Sequence, residues 1–264
     1  MNSARPQYPE DFLDRLEAVW GDGFLSPGGP GEVREIVRGL DLSGWRVLDI
    51  GCGTGGPARI LVKECGVASL LGIDVEPQIL ARARRRIAAA GLGHRIGLCL
   101  VAPGPLPFAD GGFDCVFSKD SLIHVADKAA LFREILRVLR PGGVFAASDW
   151  LAGENAESDP AMRRFLELEP LDFRMATAAE TEDLLRRCGF VRVDSRDRRA
   201  WYAVEVRRET ARIEGPLRER MIAMVGEEIY DRWIAVRRAL VEVVLSGALR
   251  PTHLRAFKPA DARS

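Results

Sequence analysis

The apolar positions of the chain change rhythm near residue 45. Before that point Phe12, Leu13, Leu16 and Val19 recur at helical spacing, which predicts a helix over Glu10–Trp20 with one buried face. The Gly- and Pro-rich stretch 21–30 reads as a loop, and Glu32–Leu40 as a second short helix. Beyond it, short apolar runs alternate with helical stretches. Strands are predicted at Arg46–Ile50, Ser69–Ile73, Arg95–Val101, Phe113–Phe117, Val144–Ser148 and Phe190–Ser195. The intervening helices are Ala58–Glu64, Pro77–Ala90, Lys128–Leu139, ended by Pro141-Gly142-Gly143, then Ala161–Leu168 and Ala178–Cys188. Trp201–Leu245 reads as mostly helical, and His253–Phe257 as a last strand. Strand–helix alternation of this kind predicts an α/β protein with a doubly wound, mostly parallel sheet and helices on both faces. The expected organisation is an N-terminal cap and loop over 1–40, a core over 41–200, and a helical insertion with the last strand over 201–264.

Composition narrows the class. With 47% hydrophobic and 29% charged residues among 264, the chain has enough apolar side chains for a core and is not disordered. Lys and Arg number 38, as do Asp and Glu, so no global basic field exists to gather nucleic acid or anionic lipid. The run Arg82-Ala83-Arg84-Arg85-Arg86 reads as the solvated face of a helix. The five cysteines form no C-x-x-C pair and none sits near a His at ligand spacing, so no metal is expected and a reducing compartment suits them. Residues 1–14 lack an apolar signal core. No uncharged apolar run reaches the roughly 18 residues of a membrane span. These features predict a cytoplasmic protein with no membrane partner.

The strongest chemical signal is Asp49-Ile50-Gly51-Cys52-Gly53-Thr54-Gly55-Gly56. A glycine turn after the first strand lets backbone approach a ligand closely, and the next helix offers its N-terminal amides. Asp74, at the end of the second strand, stands where a carboxylate can grip the two hydroxyls of a ribose. Gly51, Gly53 and Gly56 also fit the dinucleotide pattern G-x-G-x-x-G. Asp49 argues against a pyrophosphate at this mouth and suits a ligand with an ammonium and a sulfonium.

Val47–Gly55 resembles the first motif of class I S-adenosylmethionine-dependent methyltransferases. Gly72-Ile73-Asp74 resembles their second, 107–114 the approach to their fourth strand, and 139–143 the turn before their fifth. The resemblance implies a Rossmann-like, seven-stranded sheet. It also implies S-adenosyl-L-methionine as cofactor, with S-adenosyl-L-homocysteine as product. Gly51 and Gly53 would approach the methionine part, Asp49 would order its amino group, and Asp74 with Val75 would hold the nucleoside. Ala102 and Pro103 stand where the family carries an acid for the adenine amino group, so weak cofactor binding is expected.

A nearer resemblance, to phosphoethanolamine N-methyltransferases, covers most of the chain. Its carriers are Gln7-Tyr8, the loop Phe24-Leu25-Ser26-Pro27-Gly28-Gly29, the motif Ser118-Lys119-Asp120-Ser121-Leu122-Ile123-His124, Asp149-Trp150, and Phe257-Lys258. It implies Tyr8 and His124 as a catalytic pair and Asp120 near the substrate amine. Leu25, Ser26 and Ser118 would lie on the cofactor, with Phe24, Trp150 and Phe173 walling the acceptor. The chemistry agrees. Methyl transfer is an in-line displacement, in which the enzyme aligns its reactants and keeps water out. An amine must first lose a proton, which a positioned imidazole takes readily. Aromatic rings favour the resulting cation.

Where that family holds phosphate, the alignment brings Glu167, Leu171 and Phe173, with Arg237 or Arg238 in place of a Lys. Glu167 would repel a phosphate and Leu171 cannot bond one. The acceptor class is therefore a small amine, phosphoethanolamine-like or glycine- and sarcosine-like, bound by a monomer or homodimer without nucleic acid. The alternatives are methylation of another small nucleophile at O or C, a non-catalytic cofactor-binding homologue, a nicotinamide oxidoreductase, and a nucleic-acid or protein methyltransferase. Two features disfavour the last: the motif after the fourth strand and the zero net charge.

Overall fold

The computed structural model describes residues 8–169, 171 and 173–260. Among them seven strands pair in the order β3-β2-β1-β4-β5-β7-β6. They are β1 (Arg46–Ile50), β2 (Ser69–Asp74), β3 (Ile96–Leu100), β4 (Phe113–Lys119), β5 (Leu139–Ala152), β6 (Val191–Asp197) and β7 (Leu249–Phe257). The first five run parallel, and β7 enters antiparallel between β5 and β6. The α/β, doubly wound expectation holds. Strand order reverses between β1 and β4, whose carboxyl ends therefore open a crevice, the usual ligand position in such sheets.

Period-two alternation gives each strand two buried faces. Val47, Cys115, Phe117, Val144 and Ala146 face one core with Val33, Leu61 and Val62. Leu48, Val116, Phe145 and Ala147 face the other, with Phe132, Ile135 and Leu185. The helices covering these faces are α2 (Gly29–Ile36), α3 (Gly56–Glu64), α4 (Pro77–Ala89), α5 (Lys128–Val138) and α7 (Ala178–Arg187). Side-chain caps fix two starts: Asp127 accepts from the Ala130 amide, and Thr177 and Glu180 form a capping box.

A third layer lies over the carboxyl ends of the strands. It comprises α6 (Pro160–Leu168), α8 (Arg199–Glu214), α9 (Arg218–Val225) and α10 (Glu227–Ser246). Met162, Phe165, Tyr202, Val206, Leu240 and Val243 form its core. The N-terminal helix α1 (Glu10–Trp20) joins it through Val19, packed with Ile213, Met221, Tyr230 and Trp233.

Three local readings change. β5 starts at Leu139 rather than Val144, because its register against β4 shifts between Phe113 and Cys115 and absorbs Pro141-Gly142-Gly143 as an irregularity inside the strand. Gly142, at φ 72°, supplies the left-handed backbone this needs. The second helix begins at Gly29, with Pro30 pre-set for its first turn, not at Glu32. The basic run of α4 is not wholly solvated. Arg84 and Arg85 are exposed, but Arg82 binds Glu10 and Asp14 of α1, and Arg86 binds Glu17 and Asp22. Those guanidinium groups clamp the cap to the core.

Candidate active site

The turn after β1 is built of backbone. Gly51 and Cys52 donate their amides to the Ile73 carbonyl at 2.9 and 3.0 Å. Gly51 has φ 68°, and a Cβ there would stand 2.4 Å from the Ser121 hydroxyl. Ser121 in turn bonds the Ile50 carbonyl at 3.0 Å and the buried Ser118 hydroxyl at 2.8 Å. Ser118 also donates to Ile50, at 2.9 Å. It thus supports the turn from beneath. Gly53 donates to Asp74 Oδ2 at 3.2 Å, while the Glu76 amide bonds Oδ1 at 3.1 Å. Val75, next along, is half-exposed at the mouth.

Asp49 is buried, and its Oδ2 has no hydrogen-bond partner. Burial, with Asp74 adding repulsion, pushes its carboxyl up to about 8. A buried carboxylate lacking a cation is costly unless a positive ligand group completes it. Asp74 is also raised, chiefly by burial.

Loop 21–28 folds down on this turn. The Gly56 amide donates to the Gly23 carbonyl at 2.9 Å, an approach that a Cβ on Gly56 would block at 2.4 Å. Leu25 lies over Gly53. Lys119 fastens the loop from the other side. Its ammonium donates to Ser26 Oγ at 2.5 Å, to the Pro27 carbonyl at 2.9 Å and to Asp120 Oδ2 at 2.7 Å. All three protons are used, which explains how a buried lysine is tolerated. Phe24 does not join the acceptor wall. It is buried against Val33, Ile36, Ala58 and Leu61, and anchors the loop to the core beside Gly56.

On the far side of the turn, the chain leaves β4 through Asp120 at φ 55° and enters a 3-10 turn, Leu122–His124. Asp120 is no helix cap, because α5 starts at Lys128 behind Asp127. Its carboxylate accepts from Ser148 Oγ at 2.7 Å and from Lys119. The turn is held by Asp149, whose Oδ1 accepts the Ile123 amide at 3.1 Å. Burial pushes Asp149 up to about 7, opposed by Lys128.

Tyr8 and His124, separated by 116 positions, meet here. The phenol oxygen lies 3.1 Å from Nε2. Burial raises the Tyr8 hydroxyl well above the ordinary range, and the charges of Glu169, Asp74, Glu76 and Asp120 push the same way. Phe12 stacks on Tyr8 at 5.7 Å between centroids. Phe173 lies 5.6 Å from His124 and 6.1 Å from Trp150, which lies 5.7 Å from Tyr202. The aromatic wall is thus Tyr8, His124, Phe173, Trp150 and Tyr202.

Several contributors escape a sequence reading. Glu167 is exposed, whereas Glu169 accepts the Leu171 amide, is pushed up to about 7 by burial, and adds its charge to those that raise Tyr8. Arg238 is exposed and pairs with Glu214, whereas Arg237 is buried and donates to Glu209 at 2.6 Å. Glu209 also accepts from Trp20 of α1, at 2.8 Å. The uncharged ring of Tyr202 and the pairing of Glu209 fall inside helix α8, where nothing distinguishes them from core. Ala102 is exposed beyond β3. No group of His, Cys, Asp or Glu that could hold a metal ion occurs among the described residues. No described helix is long and apolar enough to cross a membrane.

Residues 48–147 match a family model described as a methyltransferase domain. The chain is 25% identical to phosphoethanolamine N-methyltransferase 2 of Haemonchus contortus, solved with phosphomonomethylethanolamine and S-adenosylhomocysteine; the structures align with a TM-score of 0.87 over 97% of this chain and 59% of that one. Residues 48–147 thus form a methyltransferase domain, in a chain with the Rossmann-like fold of class I methyltransferases. The chain is 30% identical to phosphoethanolamine N-methyltransferase 1 of Arabidopsis thaliana over 85% of its own length and 45% of the relative's. It spans about half the length of the curated relatives it matches. It also shares its fold, with a TM-score of 0.81 and 21% identity, with a putative sarcosine dimethylglycine methyltransferase of Galdieria sulphuraria, over 96% of this chain and 98% of that one.

Proposed function

We propose that this protein is an S-adenosylmethionine-dependent methyltransferase that transfers a methyl group to the nitrogen of a small amine. The observation that carries the reading is the Tyr8–His124 pair, 3.1 Å apart and enclosed by aromatic rings beside the glycine turn. The phosphoethanolamine N-methyltransferases among its relatives support an amine acceptor.

The residues of the turn fit S-adenosylmethionine. The partnerless Asp49 Oδ2 suits the ammonium of its amino-acid part, and Gly51 and Gly53 keep the turn free of side chains. Asp74 and Val75 would hold the nucleoside, with Leu25 and Ser26 closing over it and Ser118 bracing the turn. When bound, this cofactor supplies an electrophilic methyl group on sulfur. Everything else falls to the chain. Tyr8 stays protonated, and with the Nδ1–H tautomer of His124 its hydroxyl would donate to Nε2 while its oxygen accepts from the acceptor's ammonium. The ammonium proton of the acceptor passes to that oxygen as the phenolic proton passes to Nε2. This leaves a neutral amine and an imidazolium. Asp120 and Glu169, whose charges both reach Tyr8, favour that separation. The faces of Phe173 and Trp150 stabilise the methylated cation. The clamped cap keeps water from the sulfonium.

Incubation of the purified protein with S-adenosylmethionine and a panel of amines, followed by S-adenosylhomocysteine release and product mass, tests this reading. N-methylated product is expected. A protein that binds S-adenosylhomocysteine yet methylates oxygen or carbon acceptors, and no amine, overturns it.

A further inference from the structure

The cofactor turn fixes a direction across the sheet. Asp49 of β1 offers a partnerless oxygen suited to an ammonium, and Asp74, at the end of β2, a carboxylate suited to a ribose. The next strand in that direction is β3, and its Leu100 pairs with Asp74. The Val101 amide extends the pairing, donating to the Asp74 carbonyl at 3.1 Å. A ligand with its ammonium at Asp49 and its ribose at Asp74 therefore carries its base toward the carboxyl ends of β2 and β3. Val75 and Leu100 stand on those adjoining ends, each 51% exposed although both are aliphatic. Paired apolar surface left open beside a polar grip suits the flat face of a purine.

The edge of the base meets a different surface. From Ile96 through Ala109 no side chain carries nitrogen or oxygen, and Pro103, Pro105 and Pro107 lack backbone N–H groups as well. Ala102, Pro103, Gly104 and Pro105 are exposed. Glu134 and Asp110, the acids that flank this stretch, both accept from Arg137 of α5, at 2.8 and 2.7 Å. Glu134 also takes the Leu106 amide, at 2.7 Å. Glu76, beside Val75, bonds Gln78.

We infer that no side chain reads the exocyclic amine of the purine, that residue 102 is where such a reading would be set, and that the protein takes sulfonium nucleosides altered at that amine as well as S-adenosylmethionine. This rests on the reading of the turn as an S-adenosylmethionine site. An exocyclic amine at this edge donates to water or to hydrated backbone, much as it does free in solution, so its loss changes little. A larger group there meets solvent, since the chain from Ala102 to Pro105 is exposed. Pro103 holds residue 102 extended, so a carboxylate introduced at 102 has a fixed backbone to project from.

Calorimetric titration of the full chain tests this. The probes are S-adenosylhomocysteine, its analogue lacking the exocyclic amine, and its derivative methylated on that amine, against wild type and Ala102→Asp. Wild type is expected to bind all three within about threefold. Ala102→Asp should tighten S-adenosylhomocysteine about three- to tenfold through a charge-assisted hydrogen bond, and shift the deaminated analogue less than about twofold. Wild-type weakening of either analogue by more than about threefold overturns the inference. So does a variant whose affinities for S-adenosylhomocysteine and the deaminated analogue move together or stay put. The wild-type ranking decides alone if the variant fails to fold. Even binding of the three by a protein that methylates no amine leaves this inference standing and removes the proposed function. Discrimination by a protein that does methylate amines does the reverse, and no binding of S-adenosylhomocysteine removes both.

Discussion

The cofactor turn and the acceptor wall lie side by side, but they are made in opposite ways. The turn is local: Asp49, Gly51, Gly53 and Asp74 fall within 26 residues, and backbone amides and missing side chains do most of the work. The wall is assembled from the residue Tyr8 ahead of α1, the turn after β4, β5, the segment after α6 and α8, and side chains do the work. A site made of backbone constrains consecutive residues and leaves a motif. A site made of side chains constrains only where those residues end up.

Three perturbations separate the halves. The largest effect is expected at the wall. His124→Ala should lower kcat by about 10²- to 10⁴-fold, the range for loss of a positioned acid–base group. S-adenosylhomocysteine affinity should stay within about twofold. If the two fall together, the wall and the turn are one site and the contrast fails.

The second effect belongs to the turn. Asp49→Asn should raise the Kd for S-adenosylhomocysteine by about 10- to 100-fold, as expected for a lost hydrogen bond to a charged group. A pH signature accompanies it. Asp49 has a folded value of about 8, above its ordinary 3.8, so its neutral form stabilises the unliganded fold at low pH and that contribution fades as pH rises through 8. The ligand's ammonium favours the ionised form. The ligand-induced rise in Tm should therefore grow from about pH 6 to about pH 9, and Asn should flatten the growth. A pH-independent Tm rise in the wild type would remove Asp49 from ammonium binding.

The smallest effect lies between the halves. Glu10, Asp14 and Asp22 face solvent, so their clamps to Arg82 and Arg86 each contribute less than about 1 kcal/mol, while the Arg86–Glu17 pair is more enclosed. The double Ala variant should lose about 2–4 °C of Tm. Because α1 carries Tyr8 to His124, kcat/KM should fall about three- to tenfold and more steeply with salt, while cofactor affinity changes less. Equal losses in both would make the clamp a general stabiliser, without a bias toward the wall.

How legible each residue was follows from the same contrast. Tyr8, His124, Trp150 and Phe173 were readable only through a family resemblance, and the structure gathers them. Phe24 departs from the expectation, because an aromatic in a loop above a site looks the same in sequence whether it points at the ligand or at the core; it packs in the core beside Gly56. Glu167, which the alignment brings to a place where the family holds phosphate, is exposed on α6. Lys119 was visible only as the middle of a motif. Its function as a three-way tie depends on Ser26 and Pro27, some 90 positions earlier.

The sequence by itself determined the alternation of strands and helices, the two-faced core and the glycine turn, since each depends on neighbours a few residues away through backbone geometry and burial period. Only the tertiary structure decided which arginines hold the cap and that Arg237 rather than Arg238 lies inside. Those outcomes turn on helix rotation and on charges brought together from residues 28 to 72 positions apart, and a one-residue change of register exchanges the buried face for the solvated one.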